Sequence, residues 1–227
     1  MKKINIAIDG PSAAGKSTIA KRLGAKLGYV HLDTGAMYRC TALKCVREGI
    51  SLSDEQAVCD MLKQTKIELT PEGGVFMDGE DVSTAIRTDE ISLAASKVSA
   101  HKNVRSDRVA RQQEMAKAKG FIMDGRDIGT VVLKDAEVKI YMTASAEARA
   151  LRRYRQNIEK GIPTTDVETI AEEIRQRDYD DMHRENSPLR KADDAVEIDT
   201  SDMTIEEVVD RIYRLALPFL EKEETNA

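Results

Sequence analysis

Short apolar runs recur at wide intervals along the chain, and each gives way to a polar loop: Ile4–Ile8, Tyr29–Leu32, Phe121–Met123, Val138–Met142 and Val196–Ile198. Runs this short, bounded by turn residues, predict buried strands. Between them apolar positions repeat at helical spacing, as in Ile19, Leu23 and Leu27, or Val208, Ile212 and Leu215. Strands alternating with helices predict an α/β fold, a parallel sheet with crossover helices and ligands at the carboxyl ends of the strands. Three pairs, Ser53 with Gln56, Thr165 with Glu168 and Thr204 with Glu207, have the spacing of a capping box at a helix start.

One region breaks the alternation. Lys66–Thr70 and Val75–Gly79 flank Pro-Glu-Gly-Gly, which predicts a β-hairpin, with a helix following from about Asp89. We read residues 61–100 as a substrate-side insertion, and 1–60 with 101–227 as the core. An irregular stretch at Gln156–Thr164, with Gly161 and Pro163, places a lid at about 150–165. The tail from Glu221 to Ala227 reads as frayed.

Composition narrows the function classes. Lys and Arg number 35 against 40 Asp and Glu, so no net-basic field points to general nucleic-acid binding. There is no Trp and only 4% aromatic residues, so stacking platforms for single strands are scarce. No apolar run is long enough for a membrane span, and the apolar start is too short and too soon charged, at Asp9, for a signal peptide. Cys40, Cys45 and Cys59 have neither CxxC nor zinc-ligand spacing and read as reduced thiols of a cytoplasmic protein. His31, His101 and His183 are scattered, which is a poor basis for a metal site.

The chemistry is concentrated in one segment. Gly10-Pro11-Ser12-Ala13-Ala14-Gly15-Lys16-Ser17 completes the G-x-x-x-x-G-K-[ST] pattern between a predicted strand and a predicted helix. Its glycines let backbone N–H groups converge on a polyphosphate at a helix N-terminus, where the dipole favours negative charge. Lys16 would reach the terminal phosphates, and the Ser17 hydroxyl would be a ligand of Mg2+. A nucleoside triphosphate is the expected ligand.

Two further segments repeat the placement of charge at a strand end. Asp124-Gly125-Arg126-Asp127 follows the third apolar run, and Asp33-Thr34 with Arg39 follows the second, with Asp33 expected to face the nucleotide. Acids there suit a Mg2+ site or substrate recognition, and Arg126 suits a phosphate, although Asp-Gly is also a common solvated turn. Ile170, Ile174, Arg177, Asp181 and Arg184 share one helical stripe that begins apolar and turns ionic. Such a stripe leaves a core and enters a polar cleft, unless Arg177 and Asp181 form a surface i,i+4 pair. Arg149, Arg152, Arg153 and Arg155 crowd the helix leading to the lid, where arginines can close on a transferring phosphoryl group.

Taken in order, Ile8-Asp9-Gly-Pro-Ser-Ala-Ala-Gly-Lys-Ser17, Leu32-Asp-Thr-Gly-Ala-Met-Tyr-Arg39, Ile86-Arg87-Thr88, Asp124-Gly-Arg-Asp-Ile-Gly-Thr130 and Arg177-Asp178-x-x-Asp181-x-x-Arg184 resemble the bacterial cytidylate kinases over nearly the whole chain. The resemblance implies a P-loop nucleoside-monophosphate-kinase fold, with a five-stranded parallel core, a small antiparallel β/helical CMP-binding insertion and a short lid. It implies Mg2+-dependent transfer from ATP to CMP or dCMP, by a protein expected to be a monomer. Gly10 to Thr18 would hold the ATP phosphates. Thr34, Arg39 and Arg126 would surround the CMP phosphate, and Ser96, Arg105 and Asp127 the cytosine. Arg177 and Asp181 would take the sugar hydroxyls, Arg184 would lie near the phosphates, and Arg152 and Arg153 would supply lid cations. Two positions depart from the family's frequent choices: Thr34 stands for Ser, and Ser17 for Gly.

The other readings are a P-loop kinase for shikimate or gluconate, a GTP-gated switch, and an idle ATP-binding module. The Asn-Lys-x-Asp segment that GTP switches carry for guanine does not occur. The intact Lys16, Ser17 and candidate phosphate arginines speak against decay. The acceptor phosphate is already ionised, so in-line transfer needs alignment and charge neutralisation more than a general base.

Overall fold

The computed structural model describes residues 2–70, 73–159 and 161–220. The frayed-tail expectation at Glu221–Ala227, Pro71 and Glu72 of the hairpin turn, and Lys160 of the lid lie outside the described residues.

All five expected strands form. They are β1 (Ile6–Asp9), β2 (Val30–Asp33), β6 (Phe121–Gly125), β7 (Val138–Thr143) and β8 (Val196–Asp199). They build one parallel sheet in the order β2-β6-β1-β7-β8. The register sets Asp33 beside Asp124 and Asp9 beside Gly125, so three strand ends bring Asp9, Asp33 and Asp124 to one edge. On one face Ile6, Ile8, Ile122, Ile140 and Ile198 pack against α1 (Lys16–Leu27) and α8 (Ile205–Leu220). On the other, Ala7, Leu32 and Met123 pack against Met37 of α2 (Thr34–Glu48) and Ala116 of α5 (Lys102–Ala116).

The remaining elements are α3 (Glu55–Lys63), β3 (Ile67–Leu69), β4 (Val75–Met77), β5 (Glu80–Asp81), α4 (Asp89–Ser99), α6 (Ala146–Glu159) and α7 (Val167–His183). The hairpin forms as expected, with Ile67 opposite Met77 and Leu69 opposite Val75. A third strand, β5, was not anticipated. Asp78 and Gly79 both take positive φ (52° and 86°) and fold the chain back onto β4, the geometry that an Asp-Gly pair favours in a tight hairpin turn. Val75, Met77, Ile86, Ile91 and Val98 share a core with Ala42 and Cys45 of α2 and with α3, so the hairpin and α4 lean on α2. All three cysteines are free.

One of the three capping boxes forms. The Thr204 amide donates to Glu207 Oε2 at 2.8 Å and the Glu207 amide to Thr204 Oγ1 at 3.3 Å. At α3 and α7 the cap lies one residue later than expected. Asp54 accepts from the Ala57 amide and Asp166 from the Thr169 amide, at 3.0 and 2.9 Å. An ionised carboxylate at a helix N-terminus gains from the dipole as well as the hydrogen bond, and so displaces the neighbouring hydroxyl.

Candidate active site

The loop from Gly10 to Thr18 leaves β1 and enters α1 as its pattern requires. Gly10 takes φ +149°, and a Cβ there would lie 2.1 Å from the Met142 carbonyl oxygen of β7. Glycine therefore lets the loop pass over the next strand. Gly15 is the left-handed cap of α1, and Ala13 also has positive φ. Lys16 is buried, and its ammonium donates to the Gly10 and Pro11 carbonyls at 2.8 and 2.7 Å. Burial, with Arg126 nearby, pushes its pKa down to about 7 against the pull of Asp124, Asp9 and Asp181.

Ser17, in the first turn of α1, donates its hydroxyl to Asp124 Oδ2 at 2.8 Å, and His31 Nε2 lies 2.7 Å from Asp124 Oδ1. Among the described residues no three His, Cys, Asp or Glu cluster as a metal cage. A hydroxyl and one carboxylate at a phosphate loop instead suit a hard cation such as Mg2+, which keeps waters and takes phosphate oxygens as its other ligands. Asp33 is the register partner of Asp124, beside this point. Its carboxylate caps α2 through the Ala36 amide (3.0 Å) and pairs with Arg39 at 2.7 Å.

The sequence reading missed Asp9. Its carboxylate is buried at the end of β1 and accepts the Ile128 and Gly129 amides, both at 2.7 Å. Those amides open a π-helical turn, Ile128–Val132, directly after Asp127. The start of the phosphate loop is thus bonded to the segment that carries Arg126 and Asp127.

Beside the loop lies an open cavity, and every residue expected around the acceptor lines it: Thr34 and Arg39 from α2, Ser96 from α4, Arg105 from α5, Arg126 and Asp127 after β6, Arg177 and Asp181 from α7, and Arg184 at its end. Thr34 Oγ1 donates to the Asp124 carbonyl at 2.7 Å. Arg105 pairs with Asp127 inside the protein. Arg126 pairs with Asp181 at 2.7 Å, and Arg184 Nη1 lies 3.6 Å from the same carboxylate. Burial alone would raise the Asp181 pKa, but Arg126, Arg177 and Arg184 outweigh it and hold it below the ordinary value. Burial, then repulsion from Arg126, lowers the Arg177 pKa to about 10.

The stripe on α7 behaves as its pattern predicted. Ile170 and Ile174 pack with Ala150 of α6, while Asp181 and Arg184 turn into the cavity. Tyr38, one turn after Thr34, was missed; it also lines the cavity, and its ring lies 5.4 Å from the Arg105 guanidinium carbon.

The arginines of α6 divide. Arg149 is a clasp: it donates to the Ser12 carbonyl at 3.0 Å and the Ala144 carbonyl at 2.9 Å, and pairs with Asp178 at 2.7 Å. Arg152 is not among the cavity residues, and its guanidinium bonds the Thr200 and Ser201 carbonyls. Arg153 does not line the cavity either, but lies close enough to Arg177 to help depress the pKa of that guanidinium after burial and Arg126.

A phosphate loop closing the central strand of this parallel sheet, beside an open arginine-rich cavity, defines a P-loop kinase of the nucleoside-monophosphate type. The family model for cytidylate kinase matches residues 6–217. The chain belongs to the cytidylate kinase family. Cytidylate kinase from Geobacillus sp. is 53% identical over 215 residues, 93% of this chain and 96% of that one. The enzyme from Ligilactobacillus salivarius is 51% identical over 218 residues, 95% and 97% of the two chains. Shikimate kinase from Bacteroides thetaiotaomicron, at 11% identity, superposes with a TM-score of 0.51 over 95% of this chain and 99% of that one, a likeness of fold alone. No helix among the described residues is long and apolar enough to cross a membrane.

Proposed function

We propose that the protein transfers the γ-phosphate of ATP to CMP and dCMP, giving CDP and dCDP. One observation carries this reading. Five arginines and two aspartates line the cavity, and four of those arginines keep a buried nitrogen without a hydrogen-bond partner: Arg39 Nε, Arg105 Nε, Arg177 Nε and Arg184 Nη2. Guanidinium groups bind phosphate through charge-assisted hydrogen bonds and carboxylates accept from hydroxyls, so this lining suits an anionic acceptor that carries hydroxyl groups.

The loop from Gly10 to Thr18 takes the ATP phosphates, and Lys16 reaches the group in transit. Ser17, with Asp124 behind it, holds Mg2+, which when bound neutralises charge on the phosphates. Thr34, Arg39 and Arg126 take the acceptor phosphate. Arg126 stands between the two halves, felt by Lys16 on one side and paired with Asp181 on the other. Arg105 holds one Asp127 oxygen through Nη2, leaving Nε to donate to the base while Asp127 accepts from its amine and Ser96 lies alongside. Arg177 and Asp181 take the sugar hydroxyls, and Arg184 neutralises charge near the phosphates. Residues 61–100 form the acceptor-binding insertion and about 150–165 the lid. Arg153 supplies the lid cation, and Arg152 joins it only by leaving Thr200 and Ser201.

The test is a coupled assay with ATP and CMP, dCMP, UMP, AMP or shikimate as acceptor. CMP and dCMP should lead, with no turnover of shikimate. Preference for AMP or shikimate would overturn the assignment.

A further inference from the structure

His31 is out of place by the rules of its surroundings. It is the register partner of Ile122, on the sheet face where Ile6, Ile8, Ile122, Ile140 and Ile198 make an apolar layer beneath α1 and α8. Helix α1 passes close over it. A Cβ on Gly24 would meet the Tyr29 carbonyl oxygen at 3.0 Å and the His31 Cβ at 3.8 Å. A branched aliphatic residue would suit such a position, and a polar ring there needs a partner.

Its partner is Asp124. His31 Nε2 and Asp124 Oδ1 are 2.7 Å apart, with the imidazole 10% and the carboxylate 5% exposed. The other Asp124 oxygen accepts the Ser17 hydroxyl at 2.8 Å. A carboxylate only accepts, so two donors, one on β2 and one on α1, grip its two oxygens and fix its plane. Without the imidazole, the Asp124 side chain could rotate about its terminal torsion, which is broad for Asp.

We propose that His31 is a positioning residue for the Mg2+ site: it acts through Asp124 to orient the carboxylate and the Ser17 hydroxyl toward the metal. The inference rests on the reading of Ser17 as the metal ligand. Outer partners that orient a metal's ligands typically govern metal affinity by a factor of 10 to 100.

The test compares the parent with His31→Leu, which suits the apolar face, and His31→Gln, whose amide can still donate to Asp124. Calorimetry with a non-hydrolysable ATP analogue, with and without Mg2+, gives the metal's contribution to binding. Turnover at saturating CMP gives the Mg2+ requirement. We expect His31→Leu to lose about tenfold in Mg2+-supported analogue binding and to need about tenfold more Mg2+. Metal-free analogue binding and KM for CMP should stay within about twofold, and His31→Gln should recover most of the loss. If the leucine variant does not fold, His31→Asn, polar but too short to reach Asp124, takes its place with the same expectation. Unchanged Mg2+ dependence, or equal weakening with and without metal, overturns the proposal. Ser17→Ala separates the two readings. If it leaves the Mg2+ dependence unmoved, the metal site itself is misassigned; if it shifts while His31→Leu does not, only the role of His31 falls.

Discussion

Asp9 and Gly129 stand 120 positions apart, yet the carboxylate of one accepts the amide of the other at 2.7 Å. A Cβ on Gly129 would lie only 3.3 Å from that carboxylate oxygen, so the approach favours glycine. The last residue before the phosphate loop is thereby bonded to the turn that carries the base-reading candidate Asp127.

Asp9 should give the fold a distinctive pH dependence. Burial pushes its pKa up from 3.8 to about 6, against the two amides that favour the carboxylate. A carboxyl raised above its unfolded value contributes stability that is fully present below about pH 3.8 and is lost as pH rises through about 6. The contribution is on the order of 3 kcal/mol. Asp9→Asn does not titrate, so the parent should lose Tm relative to the variant between about pH 4 and pH 7. A constant Tm difference across that range contradicts the assignment.

Two glycines of one loop should differ sharply. Gly15 at φ +88° has open space around its missing Cβ, whereas Gly10 would drive a Cβ into the Met142 carbonyl. Gly15→Ala should cost about 1–2 kcal/mol of stability from left-handed strain alone. Gly10→Ala should cost more than about 4 kcal/mol. Denaturant unfolding compares the two, and equal costs would mean that β7 does not confine the loop.

On the proposed reading Asp181 has two duties, and its loss should show both. Asp181→Ala would remove the proposed sugar grip together with the partner of Arg126. Loss of a hydrogen bond to a charged group is worth about 1.5–3 kcal/mol, so KM for CMP should rise at least tenfold. Release of Arg126 should lower kcat as well, while KM for ATP stays within a fewfold. Equal weakening of both substrates would make Asp181 a general structural ion pair.

Base choice should follow Asp127. A carboxylate accepts from the cytosine amine but opposes the uracil O4, so CMP should exceed UMP by roughly a hundredfold in kcat/KM. Asp127→Asn should narrow that gap, chiefly by losing CMP. Undiminished discrimination in the variant would place base reading elsewhere, with Ser96 and Ser99 the nearest alternatives in the cavity.

What could be read from the sequence was whatever local pattern dictates. The strands, the phosphate loop, the hairpin and the ionic stripe on α7 each follow from periodicity or fixed spacing, and the structure places them accordingly. The family resemblance supplied Thr34, Ser96 and Arg105, which arrive from three separate helices, α2, α4 and α5. The misses share a cause. Asp9 to Ile128, His31 to Asp124 and Arg152 to Thr200 join residues distant in sequence, and no spacing rule encodes such contacts. Ser53 and Thr165 were misread as caps for the opposite reason. Each is followed by an aspartate, Asp54 or Asp166, whose carboxylate takes the backbone amide three residues on.

The charge balance of the cavity has a consequence for the whole molecule. Burial first, and repulsion among the guanidinium groups second, lower the pKa values of Arg177 and Arg184, whereas those of Arg105 and Arg126 are raised despite burial. At Arg177 and Arg184 folding therefore holds charge against repulsion, which a phosphate bound in the cavity would relax. The enzyme is least at ease when idle. Selection for robustness and selection for turnover pull in opposite directions at these arginines, so the easiest route to a hardier protein runs through a poorer catalyst.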